Sequence, residues 1–371
     1  MNSVLRRIAM VGGVTGLVAC MGDTGKTAVD STKALTHAPT ARTDTARVVE
    51  TWISALDTAA NVDGPAVYFG ADSASWIIAS AKTANVLIVL DANTGKELRR
   101  VSGPGSGEGQ LARPNGVLVV GDSLLLVVER DNHRVQGFVL PSFTPAGVFG
   151  VDRLRKPYGL TALPDTAGGW MVYVTDNYET ADEQVPALHD LGARVKQYRV
   201  ALRNGRLVAT HVRDFGDTTS AGAIRVTESI LADPDHDRLL LAEELETDSH
   251  IKVYSRDGRF TGTVFGRGYF PQQAEGIALY RCGADAGYWV TTDQGATVNT
   301  FHLFDRNTFA HVASFAGPVT NTTDGVALTQ RGFGKFPRGA FFTAHADAAI
   351  AAFSWDRIAQ ATGAQGDCSG N

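Results

Sequence analysis

The chain has 371 residues, 44% hydrophobic and 20% charged, with 34 Lys and Arg against 39 Asp and Glu for a formal net charge of −5. This ordinary globular composition excludes a wholly disordered chain, and with no basic excess and no Lys/Arg stripe it argues against nucleic acid as a partner. The length admits one large domain or two ordinary ones.

The amino terminus, residues 1–19, reads as a targeting segment. Arg6 and Arg7 precede an apolar stretch, residues 8–19, that is too short to span a bilayer as a helix, and no later segment is apolar enough to cross one. The stretch ends Leu17-Val18-Ala19-Cys20, which resembles a bacterial lipobox and implies cleavage before Cys20 and lipid attachment to its thiol. A plain signal peptide with an incidental cysteine is the alternative. Residues 20–46, rich in Thr, Ala, Asp and Ser, read as a flexible tether. The expectation is an exported bacterial lipoprotein, monomeric, held at a periplasm-facing membrane or the cell surface only through Cys20.

From residue 47 to about residue 360 one pattern returns six times: a polar residue, then Gly or Ser, then an apolar strand-like run. The units are Asp63-Gly64, Asn115-Gly116-Val117, Tyr158-Gly159-Leu160, Glu228-Ser229-Ile230, Glu275-Gly276-Ile277 and Asp324-Gly325-Val326. Each unit continues with a β-rich run (residues 76–79, 124–128, 171–175, 239–242, 288–291 and 340–343). A run alternating with period two follows, such as Val135 with Phe138 or Ile251 with Tyr254. In most units a turn and a last strand close the unit, as at Arg256-Asp257-Gly258-Arg259. Six four-stranded units of this length predict an all-β, six-bladed β-propeller. No amphipathic helical window separates the strands, as a parallel α/β fold requires, and a sandwich does not account for six equivalent units. Trp52, Trp76, Trp170, Trp289 and Trp355 fall in or beside strand runs and read as blade packing. Residues 361–371 read as a tail. Cys282 and Cys368 either pair, pinning that tail to the fifth unit, or are two unrelated thiols.

Inner strands of a propeller start at one mouth of its channel, so the six leading residues should ring that mouth. Residues ending the second runs form another ring nearby: Lys82, Glu129 with Arg130, Asp176 with Asn177, Glu243 with Glu244, Asp293 with Gln294, and His345 with Asp347. Such a carboxylate-dense site suits a hard cation with oxygen ligands, calcium rather than zinc. The alternative is that each acid only caps a turn. No nucleophile elbow, phosphate-binding glycine loop or His-Glu-x-x-His run is present, which leaves metal-assisted chemistry or binding.

Several stretches, in order, resemble the β-propeller phytases: Asp63-Gly64-Pro65-Ala66-Val67-Tyr68, Val212-Arg213-Asp214-Phe215, Thr227-Glu228 with Ala232-Asp233, Leu241-Ala242-Glu243-Glu244, Ala274-Glu275-Gly276 and Thr323-Asp324-Gly325. The resemblance spans roughly residues 50–355. It implies calcium-dependent release of phosphate from a phosphorylated small molecule such as phytate (myo-inositol hexakisphosphate), by direct attack of a metal-activated water. It assigns metal binding to Asp63, Glu228, Glu243 or Glu244, Glu275 and Asp324, and phosphate contact to Lys82, Arg130 and Tyr158, with Glu228 orienting the water. Leu118, Gln273 and Pro318 stand where the family has acids, and Asn177 where it has a lysine. Residues 107–136 also resemble an NHL repeat. That second resemblance implies the alternative of a non-catalytic binding or scaffold propeller with structural calcium.

Overall fold

The second strand of each blade is apolar on both faces because a propeller covers both. Along Leu124–Glu129, Leu124, Leu126 and Val128 pack toward the third blade while Leu125 and Val127 pack toward the first, and all five are fully buried. The computed structural model describes residues 44–71 and 74–368. The leader, Cys20 and most of the tether lie outside those residues. Within them the chain forms a six-bladed β-propeller in which six apolar clusters fill the six interfaces between neighbouring blades.

Blades one to five each run outward from an inner strand: Val62–Phe69, Pro114–Val120, Pro157–Pro164, Ile230–Ala232 and Ala274–Cys282. In each blade the successive strands pair antiparallel. Blade six supplies only three strands of its own, Val326–Thr329, Ala340–His345 and Ala349–Ser354. Its outer strand is Trp52–Ile53 from the start of the propeller, paired antiparallel with Ala352 and Ala351. This exchange closes the ring by joining the first and last segments of the fold. Ala46–Arg47 adds a parallel strand outside blade five, against Phe315 and Ala316.

The expected strand runs are present with their predicted order. The structure adds two features beyond them. Trp52 is a closing strand as well as a packing residue. Trp355 begins an α-helix, Trp355–Thr362, whose indole stacks on Tyr280 with ring centroids 3.7 Å apart. Cys282 and Cys368 are disulfide-bonded, so the pairing alternative holds and the tail is fixed to blade five.

Trp52 carries the closure. Its ring fills the interface between blades six and one, its indole N–H donates to the Ala92 carbonyl (3.2 Å), and a Cβ at Gly95, where φ is +73°, would lie 2.5 Å from the ring. Trp52→Ala is expected to cost about 3–5 kcal/mol, read as a lower midpoint in denaturant titration. An unchanged midpoint means that the two-residue strand does not hold the ring.

Candidate functional site

In blades one, two, three and five the polar–Gly pair coincides with a break in the inner strand, and in blades four and six the corresponding pair immediately precedes that strand. Pairing with the second strand shifts register between Val62 and Pro65, Pro114 and Val117, Pro157 and Leu160, and Ala274 and Ile277. Such bulges re-aim side chains. The glycines meet a second demand, because neighbouring inner strands touch here. A Cβ at Gly159 would lie 2.1 Å from the Glu228 carbonyl oxygen, at Gly116 2.7 Å from that of Tyr158, and at Gly325 2.4 Å from the Gly64 Cα. All six leading residues, Asp63, Asn115, Tyr158, Glu228, Glu275 and Asp324, line one central cavity of about 440 Å³.

The second ring follows an equally regular backbone register. The amides of Lys82, Arg130, Asn177, Glu244, Gln294 and Ala346 donate to the carbonyls of Asn61, Arg113, Lys156, Val226, Gln273 and Asn321, at 2.8–3.1 Å. In blade six the register falls on Ala346, between the two residues suggested by the sequence, His345 and Asp347. One position earlier, side chains turn into their own blade. Glu129 pairs with Arg134 (2.6 Å), Asp176 with Lys196 (3.4 Å) and Glu243 with Lys252 (3.2 Å). Each of these acids also accepts backbone N–H bonds from the segment before the inner strand. These three, with Asp293, which accepts the Gln272 amide at 3.0 Å, are turn-capping acids of the kind that the sequence left as an alternative. Glu243 therefore stands apart from the channel, and of the Glu243–Glu244 pair only Glu244 reaches the mouth.

At the mouth two groups form. Lys82 Nζ lies 2.7 Å from Asp324 and 3.4 Å from Asp63, with its side chain only 8% exposed. Gln294 also donates to Asp324. Lys82, expected at phosphate, is thus engaged by two protein carboxylates. Burial opposes its charge, but Asp63, Asp324 and Glu228 outweigh burial and hold its pKa above the usual lysine value. Burial pushes Asp63 up to about 7, with Lys82 opposing and Asp324 adding to the rise.

Glu228, Glu244 and Glu275 form the other group, with carboxylate oxygens that lie within 4.8 Å of one another. Glu244 accepts the amides of Glu228 (2.8 Å) and Ser229 (3.1 Å), which fixes it against the inner strand. Burial raises all three, Glu228 to about 8 and the other two well above the carboxylate range, and their mutual repulsion adds to it. Tyr158 stands beside Glu228 and has its own pKa pushed up to about 12, by burial first and then by that carboxylate. Arg130 donates to the Tyr158 hydroxyl at 3.4 Å and pairs outward with Asp131 at 2.7 Å.

The donor set fits a hard divalent cation. Three close carboxylates carry more negative charge than their buried surroundings can hold, and the amide of Asn115, 1% exposed in the same ring, has no protein partner. His345 is turned aside, accepting the amide of Asn321 at 3.3 Å. Between Asp63 and Asp324 the compensating charge is already the Lys82 ammonium.

No family model matches the chain, and no curated protein does. Among solved structures, a gluconolactonase from Xanthomonas campestris superposes with a TM-score of 0.51 at 14% identity, covering 84% of this chain and 95% of its own. Hydrazine synthase of Kuenenia stuttgartiensis (TM-score 0.46, 11% identity, 82% and 80% covered) and virginiamycin B lyase from Staphylococcus aureus (0.46, 12%, 81% and 97%) are more distant. At such identities the likeness is one of fold.

The raised carboxyl groups make stability depend on pH. Burial pushes Asp63 up to about 7 and Glu228 to about 8 when folded, against ordinary values of 3.8 and 4.5, so between about pH 4 and pH 8 the folded state holds protons that the unfolded chain has released. In chelator the melting temperature should fall as pH rises from about 5 to about 9, and millimolar calcium should restore it at the upper end. A flat profile in chelator contradicts this electrostatic account.

Proposed function

We propose that the protein is a hydrolase that holds one hard divalent cation, calcium by its oxygen donors, among Glu228, Glu244 and Glu275, and cleaves an ester presented at the channel mouth. The observation that carries this reading is the approach of those three carboxylates to within 4.8 Å at the end of a cavity large enough for a small molecule. A bound divalent cation supplies Lewis acidity toward an ester oxygen and makes a water more acidic. Glu228, the one of the three whose charge acts on Tyr158, orients the attacking water. Tyr158 keeps its proton at neutral pH and Arg130 holds its hydroxyl in place. Lys82 bridges Asp63 and Asp324 beside them and offsets one of their two charges.

Charge balance decides which ester is favoured. With Lys82 already paired, one divalent cation leaves the mouth negative, which tolerates a neutral ester and repels a hexakisphosphate. A cyclic carboxylic ester is consistent with that balance, and the gluconolactonase of similar fold supports it. Phytate is the second reading, favoured by the ordered motif series that ends at Thr323-Asp324-Gly325. It demands further cations beyond the glutamate trio. We place the enzyme outside the cytoplasm, anchored through lipid on Cys20.

The test is hydrolysis of a γ-lactone, p-nitrophenyl phosphate and phytate by purified protein, with calcium or with chelator. Calcium-dependent lactone turnover is expected, reduced on the order of 100-fold by Glu228→Gln or Glu275→Gln. Glu275→Gln should also raise the melting temperature in chelator and abolish the rise caused by calcium. Phosphate release as the main activity moves the assignment to the phytase reading. A calcium-induced rise in melting temperature without any turnover points to a binding propeller with a structural ion.

A further inference from the structure

We infer that the central channel behind the carboxylate ring is an aliphatic-chain subsite, so that the ligand of this propeller is an amphiphile with its polar head at the ring and a hydrocarbon chain along the axis. The inference rests on the proposed ester chemistry for the head and on a separate observation for the chain. Beyond the leading residues, the side chains lining the cavity in the inner strands are apolar until Arg281, near the far end, which pairs with Asp235 at 2.8 Å. Val67, Val119, Leu279 and Leu328 stand along this wall half-buried, each packed on one side against an interface between blades.

The wall follows from the inner strands standing edge-on to the axis. Beyond the leading residues, alternate side chains pack toward opposite neighbouring blades, as Leu118 does toward the third and Val117 and Val119 toward the first, and both sets border the cavity. The same six strands thus carry a polar ring and an apolar tube in sequence. Water against such a wall gains less than hydrocarbon does, and the cavity, about 440 Å³, lies within the range of about 300–1,000 Å³ of small-molecule sites. The negative ring at the near end and the Arg281–Asp235 pair near the other leave the stretch between them to the uncharged part of a ligand.

The experiment is calorimetric titration of the purified protein with γ-lactones whose side chain lengthens from methyl to octyl, in calcium and in chelator, alongside their hydrolysis. Each added methylene should strengthen binding about three- to four-fold until the channel is filled. Val119→Trp, which narrows the tube, should abolish that gain while the variant keeps a cooperative melting transition. Should this variant fail to fold, Leu328→Asp replaces it, and the chain-length series on the unaltered protein decides by itself. Affinity independent of chain length, or a gain that survives Val119→Trp, overturns the inference. Because the apolar contacts need no ion, a chain-length gain that persists in chelator, with no turnover even in calcium, upholds the subsite while rejecting the hydrolase. Turnover without a chain-length gain does the reverse.

Discussion

The whole arrangement depends on how closely six inner strands approach one another around the axis. Where they come nearest, a methyl group at Gly159 or Gly325 would lie 2.1 or 2.4 Å from the backbone of the next blade. Only glycine, or in blade four Ser229, occupies this level. The residue just before it is left at the rim, turned inward by a bulge across the pair in blades one, two, three and five and standing at the entry to the strand in blades four and six. Backbone packing therefore sets the positions of Asp63, Glu228, Glu275 and Asp324, and their electrostatics follow from it. Carboxylates that would avoid one another on a flexible surface are held together by strands that cannot separate.

Two solutions to that crowding stand side by side. On the blade-one side, Lys82 supplies a covalently attached cation between Asp63 and Asp324. On the side of blades four and five, Glu228, Glu244 and Glu275 have no such partner, and burial raises their affinity for protons. A proton and a divalent ion are alternative answers to the same excess charge. This ties the ion to stability as well as to chemistry, since whatever occupies the trio also relieves the fold.

Much of this was legible in the chain because the strongest signals are local. A polar residue, a glycine and an aliphatic run are adjacent in sequence, and six repetitions define the ring without knowledge of any contact. Long-range partners were less accessible. Lys82 was visible as a cation near the site, but Asp324 lies 242 positions away and nothing nearby marks it as the partner. Glu243 and Glu244 read as equivalent because the sequence does not tell which adjacent residue ends the second strand. The backbone register shows that the first turns to Lys252 and the second to the mouth. Trp52–Ile53 is too short to read as a strand, and its pairing with Ala351 and Ala352 is the most distant of all. The helix at Trp355 follows the strand Ala349–Ser354 without a break, so the apolar pattern passes from one to the other unpunctuated.

The way the chain enters the propeller has a mechanical consequence. Before reaching Trp52 it runs parallel to blade five at Ala46 and Arg47, and Glu50 then accepts the amides of Val319 and Thr320 and the Thr320 hydroxyl. Tension applied from the amino-terminal side meets these contacts first and must shear them before it loads the strand that completes blade six. They act as a strain relief, so that a tug on the chain is borne at the rim of blade five before it reaches the seam that closes the ring of blades.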